Sequence, residues 1–223
     1  MQTSTTRSSS SCGSPADDIG LTAVIACGAL GGQIRDIARR RGWPVHVHNL
    51  PARWHNTPRL IAPAVERLAA RLQSAGARVV VAYADCGTYG ALDGVCARLG
   101  LARLPGLHCY DVLAGPDRIR AALDAEPGTY LLTDYLVRSF RSSVLEPLGL
   151  VARPELWDDY FRHYRRLVWL TQATAPEPAL AAQAEAVAAR FGLPLTVLAT
   201  GTSRLERELA SLLAEAHHSE AAR

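Results

Sequence analysis

The sequence contains no lysine, and all 24 of its basic residues are arginine. A Schiff-base enzyme, a pyridoxal phosphate anchor and a lysine-bearing phosphate loop are therefore excluded. Charge is sparse as well: charged residues make up 20% of the chain and the formal net charge is +3. The arginines are scattered rather than striped, which argues against a nucleic-acid partner. No apolar run approaches the roughly 20 residues of a membrane span, so no membrane partner is expected. Residues 1–20 are rich in Ser and Thr, lack the apolar centre of a secretory signal, and read as a disordered polar tail. A cytoplasmic location follows as an expectation.

What remains is 223 residues, 48% hydrophobic, enough for one domain with a full core. The domain is placed at residues 21–213, followed by a frayed end at 214–223 that carries His217 and His218. Apolar runs alternate with helical stretches. Leu21–Ala26, Pro44–Leu50, Ala77–Ala84, Arg103–Leu107, Thr129–Thr133, Leu167–Thr171 and Leu195–Thr200 read as strands. Gln33–Arg41, Arg59–Ala75, Ala91–Leu99, Pro116–Ala125, Glu155–Tyr164, Pro178–Phe191 and a stretch from Ser203 read as helices. Short connections between alternating elements predict an α/β fold: a doubly wound, mostly parallel open sheet of the Rossmann-like kind, in a single domain.

Such sheets bind ligands beyond the carboxyl ends of their strands. Cys27, Cys86 and Cys109 each follow an expected strand end, as do Asn49, Asp134 and Thr200. Five cysteines in a reducing compartment are not a disulfide framework, and cysteines beside Gly, Asp and His read as metal-binding or catalytic. Cys27, Cys86 and Cys109 are the expected metal ligands, with His55 of the polar loop after the second strand, or else His108, as a fourth. Asp85, His108 and Asp134 are candidate acid–base groups, although Asp134 could equally cap a helix. Gly28, Gly87 and Thr88 are candidate cofactor contacts in tight turns. Cys12 falls in the tail and Cys96 at an apolar helical position, so both are set aside. His46 and His48 share one face of a strand and read as core or sheet-edge side chains. Trp157, Tyr160, Phe161 and Tyr164 read as a packing stripe, and Glu155, Asp158 and Asp159 as a solvated face.

The cysteines are single and far apart, unlike the close pairs of a structural zinc knot. This favours an open site, either zinc or a [4Fe–4S] cluster held by three cysteines. One shared ion requires the sulfurs to lie within about 4 Å of one another, because Zn–S bonds are about 2.3 Å. A cluster tolerates wider separations.

Several stretches carry a family resemblance: ACGAL (26–30), LPARWHNTP (50–58), YADCGTYGALD (83–93), LPGLHCYDVLAG (104–115), PGTYLLTDYLVRSF (127–140) and PELWDDYFRHYRRLVWLTQ (154–172). In these the chain resembles the bacterial and archaeal family known as domain of unknown function 1638, over about residues 22–209. The resemblance implies that the motif cysteines are Cys27, Cys86 and Cys109 and the motif histidines His55 and His108. It also implies an association with corrinoid-dependent methyl metabolism, and hence a methyltransferase or corrinoid protein as partner. Tyr89 departs from the family's glycine-rich stretch and is expected to narrow the pocket mouth.

Three functions stay open at this point. One is a metalloenzyme acting on a small molecule, such as a methylated amine, a thiol or a one-carbon unit, with corrinoid contact. Another is a non-catalytic carrier of metal or cofactor for a methyltransferase system. The third is a metal-free thiol enzyme with Cys27 or Cys86 as nucleophile.

Overall fold

A computed structural model describes residues 22–221, with side chains to residue 216. The expected tail with Cys12, and the side chains of His217 and His218, lie outside the described residues. The fold is α/β with parallel strands, as the alternation predicts. The six strands among the described residues divide into two sheets of three, a split that the sequence pattern does not announce.

The first sheet has the order β2-β1-β3, from β1 (Thr22–Cys27), β2 (Val45–Leu50) and β3 (Arg78–Ala82). All its pairs are parallel, with Val24 opposite both Val47 and Val80. β1 is central and every one of its residues is buried, which accounts for its unbroken apolar run. The helices between strands are α1 (Gly31–Arg41), α2 (Ile61–Ser74) and α3 (Ala91–Leu99). α1 ends on Gly42 in the left-handed region, φ 63°, with arginines 39–41 in its last turn where the helix dipole favours cations. His46 and His48 on the edge strand β2 pack ring edge to ring face, with Nδ1 and Nε2 3.1 Å apart.

The strand expected at Arg103–Leu107 does not form. Pro105 has no amide to donate and Gly106 takes φ 102°, so regular pairing stops after a single bridge, Val81 to Arg103. The segment still runs beside β3, receiving hydrogen bonds from Val81 N to Ala102 O, Asp85 N to Gly106 O and Cys86 N to Leu107 O. Cys109 therefore does not end a strand; it opens helix α4 (Cys109–Ala114).

The chain then crosses to the second half through α5 (Pro116–Ala125), whose proline sits at the first helical turn. The second sheet has the order β4-β5-β6, from β4 (Thr129–Thr133), β5 (Arg166–Thr171) and β6 (Leu195–Ala199), again parallel throughout. Between its strands lie α6 (Asp134–Arg138), α7 (Trp157–Phe161) and α8 (Pro178–Phe191). The helix expected over Glu155–Tyr164 is shorter, being a 3-10 turn at Pro154–Leu156 followed by α7. Its aromatic side chains pack with Tyr130 and Phe191, as a packing stripe should.

Last comes α9 (Ser203–Ala221), which runs past residue 213, where the domain was expected to end. It returns to the first half: Leu205, Leu209, Leu212 and Leu213 join the core around β1 and β3. Glu206 accepts ion pairs from Arg40 and Arg41 of α1, and Arg204 Nε donates to the Asp111 carbonyl of α4. The chain thus crosses between halves twice, near Gly115 and at residues 200–202. Among the described residues no helix is long and apolar enough to cross a membrane.

Burial separates the two kinds of strand position in the second sheet. Leu170 of the central strand is fully buried, whereas Val197 of the edge strand is half exposed. Leu170→Ala should cost about 2–5 kcal/mol of unfolding free energy in urea titration, and Val197→Ala less than about 0.5 kcal/mol.

Candidate functional site

The carboxyl ends of the first sheet's three strands carry three loops, and backbone hydrogen bonds tie these and the turn before α4 in pairs. Gly28 N donates to Leu50 O at 2.9 Å, which binds the loop after β1 to the loop after β2. The approach is so close that a Cβ on Gly28 would lie 2.6 Å from the Leu50 oxygen. Cys86 N donates to Leu107 O at 2.8 Å and binds the loop after β3 to the turn before α4. The first tie brings together Cys27 and His55, the second Cys86 and Cys109.

His55 joins the two pairs. Its Nε2 lies 3.7 Å from the Cys27 sulfur, and its Nδ1 is 2.7 Å from the Ala52 carbonyl oxygen. A carbonyl only accepts, so Nδ1 carries a proton and Nε2 faces the thiol. The Cys27 sulfur also accepts from Ala29 N at 3.4 Å. Burial works against charge on His55, but hydrogen bonding to and negative charge on Cys27 and Cys86 outweigh it and raise the imidazolium pKa to about 11. Burial pushes the Cys109 thiol upward, and the neighbouring Cys86 and Cys27 charges add to this. Cys27 and Cys86 are buried, while Cys109 is partly exposed.

Tyr83 completes the cluster. Its ring stacks on His55 at 6.3 Å, and its hydroxyl is buried with no hydrogen-bond partner among the described residues. Burial first, then the charges of Cys27 and Cys86, keep that hydroxyl protonated. The sequence signal for it is its place one step past the apolar run of β3, immediately before Ala84-Asp85-Cys86.

The acid–base candidates have other work. Asp85 accepts from Thr88 Oγ1 (2.7 Å), Tyr89 N (3.0 Å) and Gly90 N (3.0 Å). Burial pushes its carboxyl upward, but those bonds together with Arg103 outweigh it and hold the pKa below the usual range. Asp85 thereby pins a turn in which Cys86 and Tyr89 both sit at positive φ, 52° and 51°. Asp134, at the start of α6 in the other half, accepts from Trp169 Nε1 (2.9 Å) and Gln172 N (3.1 Å) and is buried. His108 is exposed and stacks on Tyr110, and its amide donates to Asp111 at the start of α4. Cys96 packs in the core of the first half.

Two concavities flank the cluster. A cavity of about 230 Å³ opens between the halves, lined by His55, Cys109 and Arg53 from the first half and by Tyr130, Thr133 and Ser143 from the second. Gly87, Thr88 and Tyr89 line a different, outer groove of about 900 Å³ beside Pro58 and α3. Tyr89 is 97% exposed there and does not narrow the inner cavity. Arg53, Tyr83 and Tyr130 are the site residues that motif reading passes over. Among the described residues, no group of three or more His, Cys, Asp or Glu side chains is arranged to hold a metal ion as it stands.

Compared with known protein families, residues 49–209 match the family described as "Protein of unknown function (DUF1638)". The chain belongs to this family. The match takes in His55, Cys86 and Cys109 and begins after Cys27. No curated protein and no solved structure matches the chain. DUF1638 membership thus places three of the four clustered side chains within the family's extent.

The geometry has two measurable consequences. Gly28→Ala should destabilise by about 1–3 kcal/mol, because its Cβ meets backbone. Gly32→Ala, with open space around it and a helical position, should be neutral or stabilising in the same melting experiment. The second consequence concerns pH. The His55 pKa is higher in the folded chain than its ordinary 6.5, so its stabilisation is complete below pH 6.5 and is lost as pH rises through about 11. In chelator-treated protein, the gap in unfolding free energy between the native chain and His55→Gln should shrink across that window.

Proposed function

We propose that Cys27, Cys86, Cys109 and His55 hold a thiophilic metal centre, and that the protein is an enzyme acting on a small molecule in the cavity between its halves. One observation carries the reading. The thiols of Cys27 and Cys86 engage an imidazole whose far nitrogen is already held by a backbone carbonyl, the support typical of a metal-bound histidine, and the Cys109 thiol stands beside them. The donor set is soft, and three thiolates need a cation to share one buried site. Enclosing a single zinc ion would require these side chains to close on it. An iron–sulfur cluster spreads its thiolates over several irons and suits a more open arrangement.

When bound, such a centre would supply an open coordination position for Lewis-acid or redox chemistry. The chain's own residues would orient and shelter the reacting atom. His55 and Cys109 form the cavity wall, and the tyrosines keep much of it apolar. At about 230 Å³ the cavity is smaller than the roughly 300–1,000 Å³ of typical drug-sized pockets. It suits a methylated amine, a thiol or a one-carbon unit, and a corrinoid macrocycle would have to approach from outside. Delivery of the metal or cofactor to a methyltransferase system is the accessory alternative.

The Cys27–His55 contact and the Ala29 amide on the sulfur also favour a second reading, metal-free thiol chemistry at Cys27. Against it, Cys27 is only 1% exposed and offers a substrate no open face.

Metal and sulfide analysis of protein purified without oxygen separates these readings. Stoichiometric zinc, or iron with sulfide and visible absorption, is expected. Cys27→Ser, Cys86→Ser and Cys109→Ser should each lower it several-fold, and Cys96→Ser should leave it unchanged. Folded protein that takes up neither zinc nor iron and sulfide on reconstitution overturns the metal reading. Selective alkylation of Cys27 with loss of activity would then support the thiol one.

A further inference from the structure

The cavity between the halves is electrostatically one-sided. Its lining includes the guanidinium of Arg53 and no Asp or Glu. Arg53 has no hydrogen-bond or ion-pair partner among the described residues, unlike Arg98, Arg103, Arg141 and Arg204, each paired with a carboxylate. It is exposed, whereas Cys109 on the same lining is only partly so and is the wall nearest the thiol cluster. Arg53 and His55 stand two residues apart in one 3-10 helix, Ala52–Asn56. That helix therefore places a fixed positive charge and the imidazole of the cluster on one cavity wall. The lining from the second half includes the hydroxyl-bearing residues Tyr130, Thr133, Tyr135 and Ser143, and Tyr110 lies beside Cys109.

We propose that the small molecule bound in this cavity is a monocarboxylate, with its carboxylate on Arg53 and its other end toward Cys109 and His55. The guanidinium fork matches a carboxylate with two parallel hydrogen bonds. One guanidinium balances one negative charge; both ring nitrogens of His55 are already engaged, by the Cys27 sulfur and the Ala52 carbonyl, so a phosphate dianion would bring a second charge with no free cation for it. The hydroxyls can donate to the same carboxylate without adding charge. The cavity volume limits the rest of the molecule to a few atoms. This inference rests on the reading that the cavity is the substrate site, and it does not depend on which metal, if any, is bound.

The test is titration calorimetry on the full chain, both as purified without oxygen and after chelator treatment. The probes are acetate, propionate, N,N-dimethylglycine and inorganic phosphate. At least one monocarboxylate should bind saturably and more tightly than phosphate. Arg53→Gln should weaken it about tenfold or more, in line with loss of a charged hydrogen bond. Arg53→Lys should fall between the two, and Arg59→Gln in the outer groove should bind as the native chain does. The proposal is overturned if no monocarboxylate binds, if phosphate binds best, or if Arg53→Gln binds a monocarboxylate as tightly as the native chain. Metal content is read on the same samples. Arg53-dependent binding in protein that never holds metal would sink the metal reading and leave this one standing. Metal-loaded protein that binds no monocarboxylate would do the reverse.

Discussion

Everything at the thiol cluster depends on two backbone hydrogen bonds made beyond the ends of the strands. Gly28 N to Leu50 O and Cys86 N to Leu107 O extend sheet-like pairing into loops that have left the sheet. Loops of independent sequence would otherwise diverge from neighbouring strand ends. Here they leave in step, and side chains separated by 28 residues (Cys27 and His55) come to lie 3.7 Å apart. The first tie requires glycine, because the Leu50 oxygen occupies the space a Cβ would need. The second leaves Cys86 in a left-handed conformation that a non-glycine residue seldom adopts, and Asp85 spends its carboxylate holding that turn in place.

Electrostatics then sorts the acidic residues. Asp85 and Asp134 are both held by amide, hydroxyl and indole donors, so neither carboxylate is free to serve the cluster as a ligand or base. Cys27 and Cys86 share one imidazole, Cys109 stands beside them, and the Tyr83 ring, whose hydroxyl has no hydrogen-bond partner among the described residues, stacks on it. A buried group of this kind is rich in electron pairs and poor in positive charge. Burial makes each further negative charge expensive unless a cation accompanies it.

Much of this organisation is legible in the residues. The continuous apolar run of β1 signals a strand buried on both faces, and the Pro and Gly punctuation places α5, α8 and their neighbours within a residue or two. The convergence of the cysteine loops follows from the rule that strands of a parallel sheet end on one side. Other features are silent for physical reasons. Two three-stranded sheets have the same local periodicity as one sheet of six, so the division could not be read from alternation. Arg103–Leu107 has the composition of a strand, and the missing amide of Pro105 with the turn at Gly106 overrides it. Arg53 and Tyr130 fall within the LPARWHNTP and PGTYLLTDYLVRSF stretches, yet nothing in those stretches marks them as cavity residues, because a cavity between halves is made by tertiary placement of residues distant in sequence.

The path of α9 has a mechanical consequence. The chain enters the second half near Gly115 and leaves it at residues 200–202, and the returning helix is cemented into the core of the first half. Two covalent crossings make a door hung on two pins: the second half can swing about the line joining them, while sliding and twisting are restrained. A small rotation would change the distance between Arg53 and the tyrosines opposite while leaving the loops of the thiol cluster, all carried by the first half, rigid with respect to one another.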